Sequence, residues 1–184
     1  FILIFTFLSV FSFPKIAKAD VDLAPQSKSA ILIDAVSGQV LFEKNKEEKL
    51  APASVTKIMT LLLIMEALED GRLKLDEVLT ASPEACRMGG SQIWLEPGEK
   101  MTAEDLIISV AVASANDSAY VLAERIAGSH DNFVKMMNEK AKELGMSNTN
   151  FVNCTGLDAD EHYTTAEDIA KMSRELVKHK QILK

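Results

Sequence analysis

Cysteine is nearly absent from this chain: Cys86 and Cys154 are the only two in 184 residues. Two thiols cannot build a disulfide framework, and neither has the C-x-x-C or Cys/His spacing of a metal site. They read as two separate, small, core-like thiols, although an exported protein could pair them. Histidine is almost as scarce, with His130, His162 and His179 alone, and Trp94 is the single tryptophan. Basic clusters are missing, and a formal net charge of −7 argues against nucleic acid as a partner. No internal repeat or low-complexity tract occurs, and the length suits one domain with a real core.

The chain starts with Phe-Ile-Leu-Ile rather than methionine, so its N-terminus reads as incomplete. Phe1–Phe13 is apolar but short of the roughly 20 residues needed to span a bilayer. It is followed by Pro14-Lys15-Ile16 and then Ala17-Lys18-Ala19, the A-x-A end of a cleaved signal peptide. Residues 1–19 are therefore expected to be a signal peptide, 20–29 a linker, and 30–184 the N-terminal part of a catalytic domain. Without residues 1–19 the chain keeps 18 basic and 27 acidic residues, a net charge of −9.

Ala30–Asp34 and Gln39–Glu43 read as strands of a hairpin joined by Val36-Ser37-Gly38. The charged stretch Lys44–Lys49 leads to Pro52, where an apolar helix begins and runs to about Asp70, before Gly71. Arg72–Lys100 is irregular and carries Trp94, either a core plug or a functional loop aromatic. Thr102-Ala103-Glu104-Asp105 and Thr165-Ala166-Glu167-Asp168 are capping boxes that open helices. Between them, Ser114-Ala115-Asn116-Asp117 breaks one helix from the next, which closes at Gly128. Another helix runs from Ser129 to Gly145, with Phe133, Met136, Met137, Ala141 and Leu144 on one face. Asn148–Asn153 reads as extended, and Asp158–His162 as a polar loop. The whole is α+β, helix-rich with one hairpin. Two strands make no stable sheet alone, so further strands are expected from beyond Lys184.

Ser54 and Lys57 stand three apart at the mouth of the apolar run Ile58–Met65. Residues so spaced on a helix are neighbours, with Cβ atoms roughly 5–6 Å apart. A serine needs a base to become a nucleophile, and a lysine serves as one when burial lowers its pKa. The pattern alone is weak, since a chain of this length carries on the order of one S-x-x-K by chance. A second copy, Ser12-Phe13-Pro14-Lys15, has an internal proline inside the apolar leader and is set aside. Ser114 and Asn116 form the sole S-x-N. They are either ordinary helix caps or a proton-relaying hydroxyl and a carboxamide that holds a substrate amide.

Together these motifs resemble the penicillin-recognising serine enzymes, and within them the D-alanyl-D-alanine carboxypeptidases of bacterial cell-wall metabolism. The resemblance runs from Ala30 to about Leu176. It rests on Ile31-Leu32-Ile33-Asp34 with Ser37-Gly38, Pro52–Lys57, Gly89-Gly90-Ser91, Ser114–Asp117, and Gly156-Leu157-Asp158 with His162-Tyr163. It implies the penicillin-binding-protein/β-lactamase-like transpeptidase fold, incomplete here, and an exported location. Ser54 would attack the penultimate D-alanine carbonyl of a peptidoglycan stem peptide, forming an acyl-enzyme. Lys57 would take its proton, Ser114 would pass a proton to the departing D-alanine, and Asn116 would hold the peptide. β-Lactam antibiotics would be inhibitors, no cofactor or metal would be needed, and a C-terminal segment could bring membrane association.

Two departures qualify that resemblance. No K-[ST]-G follows Asn116, so this stretch alone is expected to be inactive. Thr155 stands where many relatives have histidine before Gly-Leu. Competing readings are a Ser-His-Asp hydrolase using one of the histidines, which sit in no recognisable site and read as solvated. The loop Asp158-Asp160-Glu161 lacks EF-hand calcium spacing. A class A β-lactamase would need an E-x-x-L-N-type acid, which is not found, and a non-catalytic wall-binding protein would not require Ser54, Lys57 and Ser114.

Overall fold

The computed structural model describes residues 22–183; the expected signal peptide lies outside them. Strands β1 (Ala30–Ile33) and β2 (Val40–Lys44) form an antiparallel hairpin, with Ala30 opposite Lys44 and a register shift after Leu32. Its turn is shaped by Asp34, whose carboxylate accepts hydrogen bonds from the Ser37 N–H (2.7 Å) and hydroxyl (2.6 Å). Among the described residues the hairpin pairs with no third strand.

Helix α1 (Lys57–Glu69) is preceded by a 3-10 turn at Ala53–Thr56 rather than starting at Pro52 as an α-helix. The apolar run dictates what α1 does: Met59, Leu62, Leu63, Ile64, Met65 and Ala67 are all buried. Full burial of a side chain such as Leu62 or Ile64 contributes about 1.5–3 kcal/mol. An apolar surface all round belongs in a domain centre, and α1 packs against α2 (Ala103–Ala113), α3 (Asn116–Ala127), α4 (His130–Glu143) and α5 (Ala166–Leu176). Both capping boxes form at their N-terminal hydroxyls, Thr102 accepting from the Asp105 N–H and Thr165 from the Asp168 N–H. Ser129 caps α4 in the same way, and Phe133, Met137 and Ala141 point into the core.

The irregular region contains an element that the sequence reading missed. β3 (Val78–Thr80) pairs antiparallel with β4 (Lys100–Thr102), closing the loop between them at its base. Trp94 on that loop is 76 % exposed and plugs nothing. The extended piece near Asn150 bridges Tyr163. It is fixed by Asn138, whose carboxamide accepts the Phe151 N–H (2.9 Å) and donates to the Phe151 carbonyl (2.7 Å). Helix α5 reaches the hairpin through Arg174, which donates to the Ala35 and Val36 carbonyls (3.1 Å each). Cys86 and Cys154 are both free, Cys154 being fully buried with its thiol pushed up to about 12 by desolvation.

Candidate active site

Ser54 sits exposed on the 3-10 turn and Lys57 begins α1, so the join between the two helix types falls between them. Ala53, just upstream, has φ +46°, a left-handed backbone that costs a non-glycine residue roughly 1–2 kcal/mol. The kink turns the Ser54 hydroxyl over the Lys57 amine, Nζ to Oγ 3.2 Å. Lys57 is only 4 % exposed, and its other hydrogen bond goes to the Thr155 carbonyl at 2.7 Å. Burial lowers its pKa, with the nearby Cys154 thiol opposing in a smaller degree. A lysine among carbonyl and hydroxyl oxygens, with no carboxylate on it, sheds its proton more easily than one in water. Once neutral, it can donate an N–H to Thr155 and turn its lone pair to the Ser54 O–H.

A segment about a hundred residues later holds this arrangement from the other side. Thr60 donates to the Cys154 carbonyl (2.7 Å), one turn beyond the Lys57–Thr155 bond. Asn153 shapes the turn, its carboxamide oxygen accepting the N–H groups of Thr155 (3.1 Å) and Gly156 (2.7 Å). Gly156, at φ +86°, lies directly against the Ala53–Ser54 peptide. A Cβ there would overlap the Ala53 carbonyl and stand 3.0 Å from the Ser54 nitrogen. Only glycine can come that near. Leu50 pairs with Thr164 through both main-chain hydrogen bonds (2.9 and 3.0 Å), tying down the approach to Pro52.

The expectation of a solvated His162 is overturned: it is 6 % exposed. Its Nδ1 accepts the Val152 N–H at 3.0 Å, so in the neutral ring Nε2 carries the proton and donates to Thr56 Oγ1 at 2.8 Å. Thr56, one of the two residues between Ser54 and Lys57, is thereby pinned. Burial lowers the His162 pKa. His130 is likewise no surface residue; it stacks on Tyr120 with ring centroids 4.8 Å apart, and burial lowers its pKa too. None of the three histidines bonds Ser54, which removes the Ser-His-Asp arrangement. The Asp158–Glu161 loop borders a small hollow with Ala51, Ala53 and His162.

Ser114 ends α2 in a left-handed conformation (φ +56°), and Asn116 opens α3. Ser114 bonds neither Ser54 nor Lys57 among the described residues. Asn116 is 4 % exposed; its Nδ2 donates to the Gly89 carbonyl (2.7 Å) and its N–H to the Ser91 carbonyl (2.8 Å). Its Oδ1 is buried with no partner among the described residues. Leu157, next to Gly156, comes up against Gly90, which also abuts Asn116. The two constellations, far apart in sequence, are thus joined through Gly156-Leu157 and the Gly89–Ser91 loop. The Thr155 carbonyl, Gly156 and the Thr56–His162 pair belong to this site and were not read as such from sequence.

Comparison with known proteins bears on the whole arrangement. A family model described as D-alanyl-D-alanine carboxypeptidase matches residues 15–184. The chain is 53% identical over 163 residues to the D-alanyl-D-alanine carboxypeptidase DacF of Bacillus subtilis (strain 168), covering 89% of this chain and 42% of that protein. Its structure resembles that of the D-alanyl-D-alanine carboxypeptidase DacD from Francisella tularensis, with a TM-score of 0.86, 32% identity, and coverage of 93% and 42%. It is also similar to penicillin-binding protein D2 from Listeria monocytogenes in its ampicillin-bound form (TM-score 0.73, 32% identity, coverage 82% and 61%). The chain therefore spans about two fifths of the length of the curated relatives it matches, 42% and 39% of the first two.

Proposed function

Since this chain belongs to the D-alanyl-D-alanine carboxypeptidase family and carries part of its penicillin-binding-protein fold, we propose that the whole protein is a serine-type carboxypeptidase acting through Ser54. The substrate is a peptidoglycan stem peptide ending in D-Ala-D-Ala, processed in cell-wall synthesis and remodelling outside the cytoplasmic membrane. The observation that carries this reading is the buried Lys57 amine, 3.2 Å from an exposed Ser54 hydroxyl and, among the described residues, bonded to no carboxylate.

The chemistry follows from those contacts. Neutral Lys57 takes the Ser54 proton as Oγ adds to the carbonyl carbon of the penultimate D-alanine. The C–N bond to the terminal D-alanine then breaks, and its nitrogen receives a proton, relayed by the Ser114 hydroxyl. Ser54 is left as an ester. Water attacks that ester, Lys57 again serving as base, and the shortened peptide leaves with Ser54 reprotonated. Asn116 holds the peptide through its carboxamide. A β-lactam, being a strained cyclic amide, would be attacked in the same way and would form the same serine ester.

Residues 1–19 are proposed to direct export and to be removed. Among the described residues no helix is long and apolar enough to cross a membrane; attachment would come from elsewhere in the protein. The test is to incubate the full-length protein with a labelled penicillin and locate the adduct by mass spectrometry. The expected product is an acyl group on Ser54; no adduct there would sink the reading.

A further inference from the structure

A planar trans peptide points its C=O and its N–H in opposite directions. The peptide that joins Thr155 to Gly156 faces the Lys57 amine with its carbonyl, which accepts from Nζ at 2.7 Å. Its N–H, on the far side, donates to Asn153 Oδ1, also at 2.7 Å. The same oxygen accepts the Thr155 N–H and hydroxyl (3.1 Å each), and Asn153 Nδ2 donates to the Leu157 carbonyl (2.8 Å). One half-buried carboxamide thus grips three consecutive residues, the way an asparagine imposes a turn on the backbone that follows it.

Without that grip the peptide has two orientations. Gly156, at φ +86°, adopts either sign of φ at little cost, so the 155–156 unit can turn over by local rotation alone. In the turned form the Gly156 N–H, rather than the Thr155 carbonyl, meets the Lys57 amine. A neutral amine would then give its lone pair to that N–H instead of to the Ser54 O–H. The surroundings offer no substitute anchor. Lys57 is 4 % exposed, and its amine is bordered by the Ser54 hydroxyl, the Thr155 carbonyl and the Cys154 thiol, with no carboxylate bonded to it among the described residues.

We infer that Asn153 is a positioning residue for the Lys57 base: by holding the Gly156 N–H it keeps the Thr155 carbonyl on the amine and leaves the amine's lone pair to Ser54. The inference rests on the acyl-transfer reading of Ser54 and Lys57 and goes beyond it.

The test follows acylation of full-length protein by a fluorescent penicillin across pH, with melting curves to show which variants fold. In wild type the rate rises with pH and reaches a plateau as Lys57 becomes neutral. Asn153→Ala removes the grip. Its plateau is expected to fall by roughly 10²-fold, the loss that about 1 Å of misplacement causes, and its rising limb to move to lower pH, since the ammonium form loses an acceptor. Asn153→Asp keeps an acceptor for the Gly156 N–H and should restore the plateau, while its carboxylate favours the ammonium and moves the limb to higher pH. A role in the fold alone would lower both melting temperatures and leave the limb and plateau of the folded protein unmoved. That pattern, or wild-type kinetics in Asn153→Ala, would overturn the positioning role and leave the Ser54 chemistry standing. A wild type that the penicillin does not acylate would overturn the underlying reading instead. If Asn153→Ala does not fold, Asn153→Asp decides alone: a wild-type plateau with the limb displaced upward supports the role, and any other result overturns it.

Discussion

Replacing Gly156 by alanine should damage both the fold and the Ser54 site, and the structure separates the two costs. The first is conformational. At φ +86° an alanine occupies the left-handed region, at roughly 1–2 kcal/mol. The second is steric. The new methyl overlaps the Ala53 carbonyl, a main-chain group with nowhere to rotate, and overpacking of this kind costs about 1–3 kcal/mol. The sum is about 2–5 kcal/mol, and at about 2–4 °C per kcal/mol for domains of 150–250 residues the melting temperature should fall by several degrees. Gly71→Ala is the control, because Gly71 has φ +77° but nothing within 4 Å of its would-be Cβ. It should show the conformational cost alone. The overlap also has a local effect: Ala53 must retreat, carrying Ser54 with it. A shift on the order of 1 Å should slow acylation by roughly 10²-fold, whereas Gly71→Ala should acylate normally. Thermal melts and stopped-flow acylation with a fluorescent penicillin measure both quantities. If Gly156→Ala melts and acylates like Gly71→Ala, the close approach to Ala53 does not hold the nucleophile.

The remaining predictions concern titrating groups at the same turn. Lys57→Ala should abolish acylation while the protein stays folded, seen by mass spectrometry of the adduct beside a circular dichroism spectrum; an unchanged rate would refute the base role. Because burial lowers the Lys57 pKa, acylation should rise with pH through that lowered value and level off below the ordinary lysine range. The linkage has a definite sign: between the lowered folded pKa and the ordinary value the unfolded chain binds more protons, so this group makes stability rise with pH. His162, also lowered by burial, acts at acid pH. Its neutral form is the one bonded to Val152 and Thr56, so its contribution is intact above the ordinary histidine pKa and fades as pH falls through the lowered one. His162→Ala should cost about 1–3 kcal/mol through the unsatisfied groups it leaves and should flatten that acid limb in urea titrations followed across pH. A steeper limb in the variant would contradict it.

What the sequence made legible was local. Thr102 and Thr165 announce their helices because a cap is a contact across three residues, and the hairpin shows in two short apolar runs around Ser37-Gly38. Ser54 and Lys57 were visible as a pair for the same reason. The β3–β4 ladder was not, since strands of three residues carry no readable alternation. The start of α1 was misplaced because Ala53 is left-handed and packed against Gly156, 103 positions on, which no local pattern shows. His162 was misjudged on the same grounds. Inside a run of acidic residues it looks solvated, and only Thr56 and Val152, brought together by the fold, show otherwise.

The bonds that hold the Ser54 turn join residues 98, 94 and 106 positions apart, for Lys57–Thr155, Thr60–Cys154 and Thr56–His162. Such long loops close late in folding, after local helices have formed. A growing chain that has just displayed Ser54 has no Thr155 carbonyl to receive the Lys57 amine and no Gly156 against Ala53. Its lysine is hydrated, with an ordinary affinity for protons, and its serine is an ordinary alcohol. The Ser54–Lys57 turn is thus assembled as a step rather than a gradient, only once the segment through Thr164 has been made and has docked. The separation in sequence works as a timer on the proposed nucleophile, written into the order of the chain.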